Sequence, residues 1–290
     1  MEENKPISID VARSRLSYAK DDDPFYKRKL IKLIERLTGR PRIEKLYTEM
    51  KQMQLTPQSI WSIALEKLKI HPVYNEKKLA GISKDGPLII ISNHPFGVAD
   101  GLMLGLIASK LRDKFGILVN EVLCTEEMFQ PYFLPIDFRE TKEALETIIQ
   151  TRKNTLERLS QGEVIAIFPS GGVATSRQWF GPIEDLEWKR FVVKLIQKSK
   201  AKVLPIFFHG RNSRVFQIAS HLHPNLRLGL LLNEVRNKMN RKVGISIGDV
   251  IEFSEIEKMK QVDDILNFLH KQTWNLANEP EKMYKHFPKT

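Results

Sequence analysis

The chain has 290 residues, 42% hydrophobic and 28% charged, a balance that can bury a sizeable core and excludes a wholly disordered chain. No run approaches the roughly 20 consecutive apolar residues of a membrane-spanning helix, since the stretch from Leu102 meets Lys110 and the stretch from Leu228 meets Glu234. Lysine and arginine number 46 against 35 acidic residues, a formal charge of +11, and the single cysteine, Cys124, leaves no intrachain disulfide and no multi-cysteine metal site.

The opening MEENKPISID is acidic and lacks the basic and apolar regions of a signal peptide, so a cytoplasmic protein is expected. In FYKRKLIKLIERLTGRP, Tyr26, Leu30, Leu33, Ile34 and Leu37 recur at spacings of three and four, with Lys27, Lys29, Lys32 and Arg36 on much of the opposite side. That pattern suits a helix packed on its own protein, or one lying in a membrane interface with its basic face toward anionic headgroups. Gly39 and Pro41 stop it. Further helices are expected at about 42–53 and after Thr56-Pro57, the latter carrying Ile60, Ile63, Ala64 and Leu68 inward. Residues 1–72 therefore read as an N-terminal helical extension.

From residue 73 short apolar runs alternate with longer amphipathic ones. Strands are expected at 87–92, 116–120, 133–137, 164–168, 203–208 and 243–247, and helices at 101–110, 141–160, 187–199, 225–239 and 255–271. The alternation predicts an α/β fold over 73–250 with a mixed, largely parallel central sheet flanked by helices, and a C-terminal helix and tail, 251–290, packed on it.

Ligands of such sheets collect beyond the carboxyl ends of the strands. His94 ends one strand, Phe168-Pro169-Ser170-Gly171-Gly172 another, and Phe208-His209-Gly210-Arg211 a third. If Asp100 opens the next helix and the turn folds back, its carboxylate can orient one ring nitrogen of His94 and leave the other as a base for a substrate hydroxyl or amine. A structural histidine and a helix-capping aspartate fit the same letters. The turn after Phe168 offers backbone amides and the Ser170, Thr175 and Ser176 hydroxyls to an oxyanion, with Arg177 nearby, and a plain connecting turn fits it too. No G-x-S-x-G, G-x-x-x-x-G-K-[ST] or post-strand G-x-G-x-x-G is present, which disfavours a serine-bound intermediate, an ATPase and a dinucleotide oxidoreductase. Metal-ligand spacing is also lacking.

The positive charge is concentrated. From Lys189 to Lys242 there are 13 basic residues and one acidic residue, Glu234. Such a field suits an anionic membrane surface or an acidic carrier, and a solvated surface without a specific partner explains it as well. Paired zinc ligands, a sheet of stacking aromatics and a long basic helix are missing, so no nucleic acid is expected.

Taken together, Asn93-His94 with Asp100, Ile136-Asp137-Phe138-Arg139, Phe168 to Gly172, and Val203-Leu204-Pro205-Ile206 resemble, in order, the four blocks of the glycerolipid acyltransferases, the PlsC-like group that contains lysophosphatidic acid acyltransferase. The resemblance covers approximately residues 75–250. Five residues, Pro95 to Ala99, separate the histidine from the aspartate where the common block has four, and Ser170 stands where the third block has glutamate. Both departures, with NHPFG, FPSGG and the segment from Phe208 to Ser213, are similar to the hemolysin-like branch that includes ornithine and glycine lipid O-acyltransferases.

The resemblance implies an O-acyltransferase of membrane lipid biosynthesis. It would move a fatty acyl group from acyl carrier protein or CoA, with no bound cofactor, to the hydroxyl of a lysophospholipid or an N-acylated amino-acid lipid. His94 would be the base and Asp100 its orienting partner. Arg139, Ser170, Gly171, Gly172, Arg211 and Arg214 would bind the acceptor or the oxyanion. Phe96, Phe129, Tyr132, Phe133 and Trp179 are candidates to wall an acyl groove. The expected location is the cytoplasmic face of the inner membrane, peripherally bound. A non-catalytic peripheral lipid-binding protein on the same fold is the alternative, and it has no chemical need to hold Asp100 against His94.

Overall fold

The computed structural model describes residues 24–26, 28, 29, 32, 33, 40–121, 124, 127–136, 141–179, 181–222 and 224–278. Arg139 and three apolar residues of the expected first helix, Leu30, Ile34 and Leu37, lie outside them. Helices α1 (Arg40–Lys51) and α2 (Ser59–Lys67) precede the sheet, and α2 buries Ile60, Trp61, Ala64 and Leu65. There follow β1 (Ile70–Val73), α3 (Glu76–Ala80), β2 (Leu88–Ser92), α4 (Val98–Leu111), β3 (Phe115–Asn120) and β4 (Phe133–Ile136). Next come α5 (Lys142–Ser160), β5 (Val164–Ile167), the small hairpin of β6 (Thr175–Ser176) and β7 (Ile183–Glu184), and α6 (Phe191–Ser199). The described chain ends with β8 (Lys202–Phe208), α7 (Arg214–Leu222), α8 (Pro224–Lys238), β9 (Arg241–Ile247), α9 (Phe253–Ile256) and α10 (Val262–Asn275).

The main sheet has seven strands in the order β1-β9-β8-β2-β5-β3-β4. The five from β8 to β4 are mutually parallel, β9 runs antiparallel to β8, and β1 pairs in parallel with β9. This is the expected mixed, largely parallel sheet with helices on both faces. All six expected strands are present. The seventh, β1, lies at the edge and contains Pro72, which lacks the amide donor that a central strand requires.

Side-chain alternation divides the core in two. Leu88 and Ile90 of β2, Val164 and Ala166 of β5, and Leu204 and Ile206 of β8 join α2 and α4 in one layer, with Trp61, Met103 and Ile107 fully or almost fully buried. Ile89 and Ile91, Ile165 and Ile167, and Val203 join α6 and α10 in the other, through Val192, Val193, Ile196, Ile265 and Leu269. The two central strands are buried at every position because both of their faces are covered.

Three helix boundaries differ from the sequence expectation. α4 begins at Val98, three residues early, so that Asp100 lies inside its first turn. α6 begins only at Phe191, because Trp188 turns inward to give its indole N–H to Asp185. The helix expected over 255–271 is two helices, with the break between Ile256 and Val262.

The carboxyl ends of β2 and β8 are clamped together. Asn93 donates its amide to the Phe208 carbonyl at 3.0 Å and accepts the Phe208 N–H at 2.7 Å, all within the buried interior. Asn93→Ala leaves both backbone groups of Phe208 without that partner. It is expected to lower stability by about 1–3 kcal/mol for each group left unpaired, read from the urea midpoint at unchanged m-value.

Candidate active site

The turn between β2 and α4 doubles back so that the Asp100 carboxylate lies beneath the His94 ring. Nδ1 of His94 is 3.1 Å from Oδ2 of Asp100, and the Asp100 side chain has no solvent exposure while that of His94 keeps 15%. The separation is that of a hydrogen bond, but the ring nitrogen is not aligned on the oxygen, so the contact is a close, oblique approach. Asp100 also accepts the Phe96 N–H at 2.9 Å and its neighbour Gly101 N–H at 3.1 Å. Two amides at the start of a 14-residue helix thus hold a carboxylate that would otherwise be costly to bury.

Gly97 makes the reversal possible. Its φ is +91°, and a Cβ there would come within 2.9 Å of Leu231 on α8 and 3.3 Å of Val173 in the turn after β5. The positive φ strains any other residue there, and a Cβ would also push the Leu231 methyl aside.

Three further contacts fix the histidine. The Phe168 ring stacks on it at 3.8 Å with an 18° tilt. Its carbonyl accepts the Ala174 N–H at 2.7 Å. Its own N–H donates at 3.0 Å to Oδ1 of Asp185, whose Oδ2 accepts the Trp188 indole N–H at 3.1 Å. Asp185 was not singled out from sequence, because one aspartate in the acidic run around Glu184 and Glu187 carries no pattern. Burial raises its pKa above the usual carboxylate value, against the opposing pull of these two donors.

The Ser170–Val173 turn lies against this pair. The Gly171 N–H is spent on the Phe168 carbonyl, and the Ser170 hydroxyl donates to the Gly172 carbonyl at 3.0 Å. The N–H groups of Gly172 and Val173 donate to no described residue. The free donors of the turn are therefore those of Gly172 and Val173, one position later than the Gly171–Gly172 pair singled out in the sequence.

The other candidates are spread more widely. Arg211 and Arg214 are exposed at the entry to α7, and Arg139 lies outside the described residues. Phe96 is buried beneath the Lys238 ammonium, 4.6 Å from its ring centre. Phe129, Tyr132 and Phe133 gather around Trp61 at 4.9, 5.5 and 6.5 Å between ring centres. Trp179 is 51% exposed and stacks on His221 at 5.3 Å. These aromatic side chains occupy three separate places and do not face a common groove here. His209 bonds Ser246 across the sheet at 2.7 Å, and Thr175 and the Ser176 amide both donate to Gln217 of α7.

A hollow of about 330 Å³ opens at the opposite, amino end of β2, lined by Lys78, Arg112, Lys202, Asp249 and Glu252 among others. Several of its charged groups are paired, Lys78 with Asp249 at 2.9 Å, Lys202 with Glu252 at 3.1 Å and Arg112 through the carbonyls of Gly86 and Gly162.

A family model described as Acyltransferase matches residues 49–282. Over 192 residues the chain is 29% identical to the lyso-glycine lipid O-acyltransferase of Bacteroides thetaiotaomicron, a match covering 63% of this chain and 68% of that one. It is 30% identical over 195 residues to the protein of the same name from Phocaeicola vulgatus, covering 63% of this chain and 66% of that one. The chain thus spans about two thirds of the length of these relatives. In fold it is similar to the crystal structure of the 1-acyl-sn-glycerophosphate acyltransferase PlsC of Thermotoga maritima, with a TM-score of 0.51 and 15% identity over 87% of this chain and 97% of that one.

Burial pushes the His209 imidazole from its ordinary 6.5 down to about 4. The folded chain holds this ring neutral while the unfolded chain takes up a proton below 6.5, so its contribution to stability is complete above pH 6.5 and is lost as the pH falls toward 4. Thermal midpoints should fall across that window, and less steeply in His209→Gln.

Proposed function

The chain belongs to the acyltransferase family, and on that premise we propose that it moves a fatty acyl group from an acyl thioester to the hydroxyl of a lyso-lipid, with His94 as general base. The observation that carries the reading is the His94–Asp100 pair: a fully buried carboxylate 3.1 Å from one ring nitrogen, leaving Nε2 to face a substrate. The acceptor hydroxyl gives its proton to Nε2 as its oxygen attacks the thioester carbonyl. Asp100 holds the tautomer and supports the imidazolium as it forms. The tetrahedral oxyanion, or an anionic headgroup, is within the scope of the free Gly172 and Val173 amides. Collapse breaks the C–S bond, and the imidazolium returns its proton to the departing thiolate of CoA or acyl carrier protein.

His94→Ala should reduce single-turnover transfer by about 10² to 10⁴ with the fold intact by circular dichroism, because the base is lost without disturbing the core. Asp100→Asn should lower kcat as well, since the amide presents the wrong partner to Nδ1. Retention of half the chemical rate by His94→Ala would reject the mechanism.

The name of the relatives, which specifies a lyso-glycine lipid, supports an anionic lyso-lipid as the acceptor. Glycine acylated on nitrogen keeps its carboxylate and a lysophospholipid keeps its phosphate, so both acceptors are anions.

The same reading places the protein peripherally on an anionic membrane. No described helix is long and apolar enough to cross one. Val215, Ile218 and Leu222 of α7 are 60%, 36% and 60% exposed, spaced as one helical face, with Trp179 beside them through its stack on His221. Exposed Arg211 and Arg214 lead into that face at the carboxyl end of β8, on the His94 side of the sheet. Apolar side chains bordered by guanidinium groups match the acyl and phosphate levels of a bilayer. Val215→Asp with Leu222→Asp should release the protein from vesicles containing anionic lipid, measured by flotation, and unchanged flotation would remove α7 from the contact.

A further inference from the structure

Next to the turn after β5 lies Arg227, a cation that has no counterion among the described residues. It lies on α8, four residues before Leu231, so both project from the same side of the helix. Leu231 packs where a Gly97 side chain would stand, which directs this side of α8 at the His94–Asp100 reversal. Nη2 of Arg227 donates to the Val173 carbonyl at 2.5 Å and lies 4.0 Å from the position a Cβ of Gly172 would occupy. The guanidinium carbon sits 5.9 Å from the centre of the buried Phe216 ring. Among the described residues no carboxylate lies within ion-pair distance of it, and burial pushes its pKa down.

Lys238 shows by contrast what a purely structural cation on this helix looks like. Its ammonium is held by the Arg211 carbonyl at 2.9 Å and by the Phe96 ring, and the neighbouring Glu234 offsets its charge. Arg227 has only one carbonyl and one aromatic face. A guanidinium carries five N–H donors, and a carbonyl uses one of them. The remaining donors adjoin the turn in which the Gly172 and Val173 amides are also unspent, and the next residue, Ala174, is bonded to His94 itself.

We propose that Arg227, together with the Gly172 and Val173 amides, binds the anionic headgroup of the acyl acceptor, a carboxylate or a phosphate, and so holds the acceptor hydroxyl in reach of His94. This rests on the acyl-transfer reading above. It makes Arg227 a specificity residue for negatively charged lyso-lipids. Because a guanidinium meets carboxylate and phosphate oxygens alike, the two acceptor types share the site, and their relative rates report which one fits.

The test uses the full chain with three acceptors: an N-acylated glycine bearing a free hydroxyl on its acyl chain, the methyl ester of the same molecule, and a lysophosphatidic acid. In the wild type the anionic acceptors should be preferred over the ester. In Arg227→Gln that preference should collapse, through a rise of about 10- to 100-fold in acceptor KM with a smaller change in kcat and no change in donor KM. Arg227→Lys should recover part of it. Whichever anionic acceptor loses more on Arg227→Gln identifies the headgroup the site is built for.

An equal loss of kcat/KM for the acid and its ester would mean that Arg227 only braces the Val173 turn, and a rise confined to donor KM would assign it to the thioester's phosphates. Either result overturns the proposal. Equilibrium binding of the N-acylated glycine to His94→Ala protein, with and without Arg227→Gln, reads the headgroup contact without turnover. If the wild type acylates none of these acceptors but the His94→Ala protein binds the acid through Arg227, the acyl-transfer reading fails and the anion site stands. If binding is unaffected by Arg227→Gln, the anion site fails whatever the activity.

Discussion

A carboxylate with no access to water, held under an imidazole, is the constraint around which this molecule is arranged. Burying an unpaired carboxylate costs far more than one hydrogen bond returns, so the chain must bring donors to Asp100 from its own backbone. The Phe96 and Gly101 amides can do this only if residues 94–97 reverse direction directly after a buried strand. The reversal requires a positive φ at Gly97, and the space that glycine leaves is filled by Leu231 and Val173 from parts of the chain distant in sequence. The His94–Asp100 pair, the packing of α8 and the position of the β5 turn are therefore consequences of a single local geometry.

A second buried carboxylate near the same histidine plays a different part. Asp185 holds the His94 main chain and the Trp188 indole, whereas Asp100 faces the ring. The division fits their surroundings. Asp185 takes its donors from groups that do not titrate, and its raised pKa reflects how little water reaches it. Trp188 is drawn inward by this bond, which is why regular helix begins only at Phe191 although the residues before it could continue the pattern.

The sheet was legible because its central strands are covered on both faces and so read as unbroken apolar runs, LIII and VIAI among them. β1 was not, since four residues including a proline carry no strand signal until β9 is there to pair with them. α7 was also missed, lying in a stretch where the sequence offered only a turn at Phe208 to Ser213. Within the site, the pairing of His94 with Asp100 could be expected from a helix start near residue 100, yet the contribution of Gly97 could not, because its obstacle, Leu231, is 134 positions away by subtraction of 97 from 231. Arg227 was concealed differently. It stands in an interval with 13 basic residues, and only burial distinguishes a guanidinium that lacks a counterion from those that water serves. That interval is not one surface either: Lys194 and Lys198 lie on α6, in the layer with α10, while Arg211 and Arg214 lead into α7.

The two departures from the common acyltransferase blocks have a physical reading in this geometry. With five residues between His94 and Asp100, the extra position is absorbed by Gly97 and by starting α4 at Val98, which turns residue 100 toward the imidazole and leaves Ala99, at the position usual for aspartate, completely buried among apolar side chains. An aspartate at 99 would point about 100° around the helix from the present one and would have no imidazole to meet. Ser170 in place of glutamate acts on the charge balance of the neighbouring turn. A glutamate there would add a carboxylate to the turn that Arg227 touches, and the guanidinium would have a candidate counterion. Serine spends its hydroxyl on the Gly172 carbonyl and brings no charge, so on the proposed reading the positive charge of Arg227 is left for the acceptor's headgroup to neutralise. On the proposed reading, the spacing of the first block and the residue choice in the third act on different halves of one site, the first on the base and the second on the charge beside it.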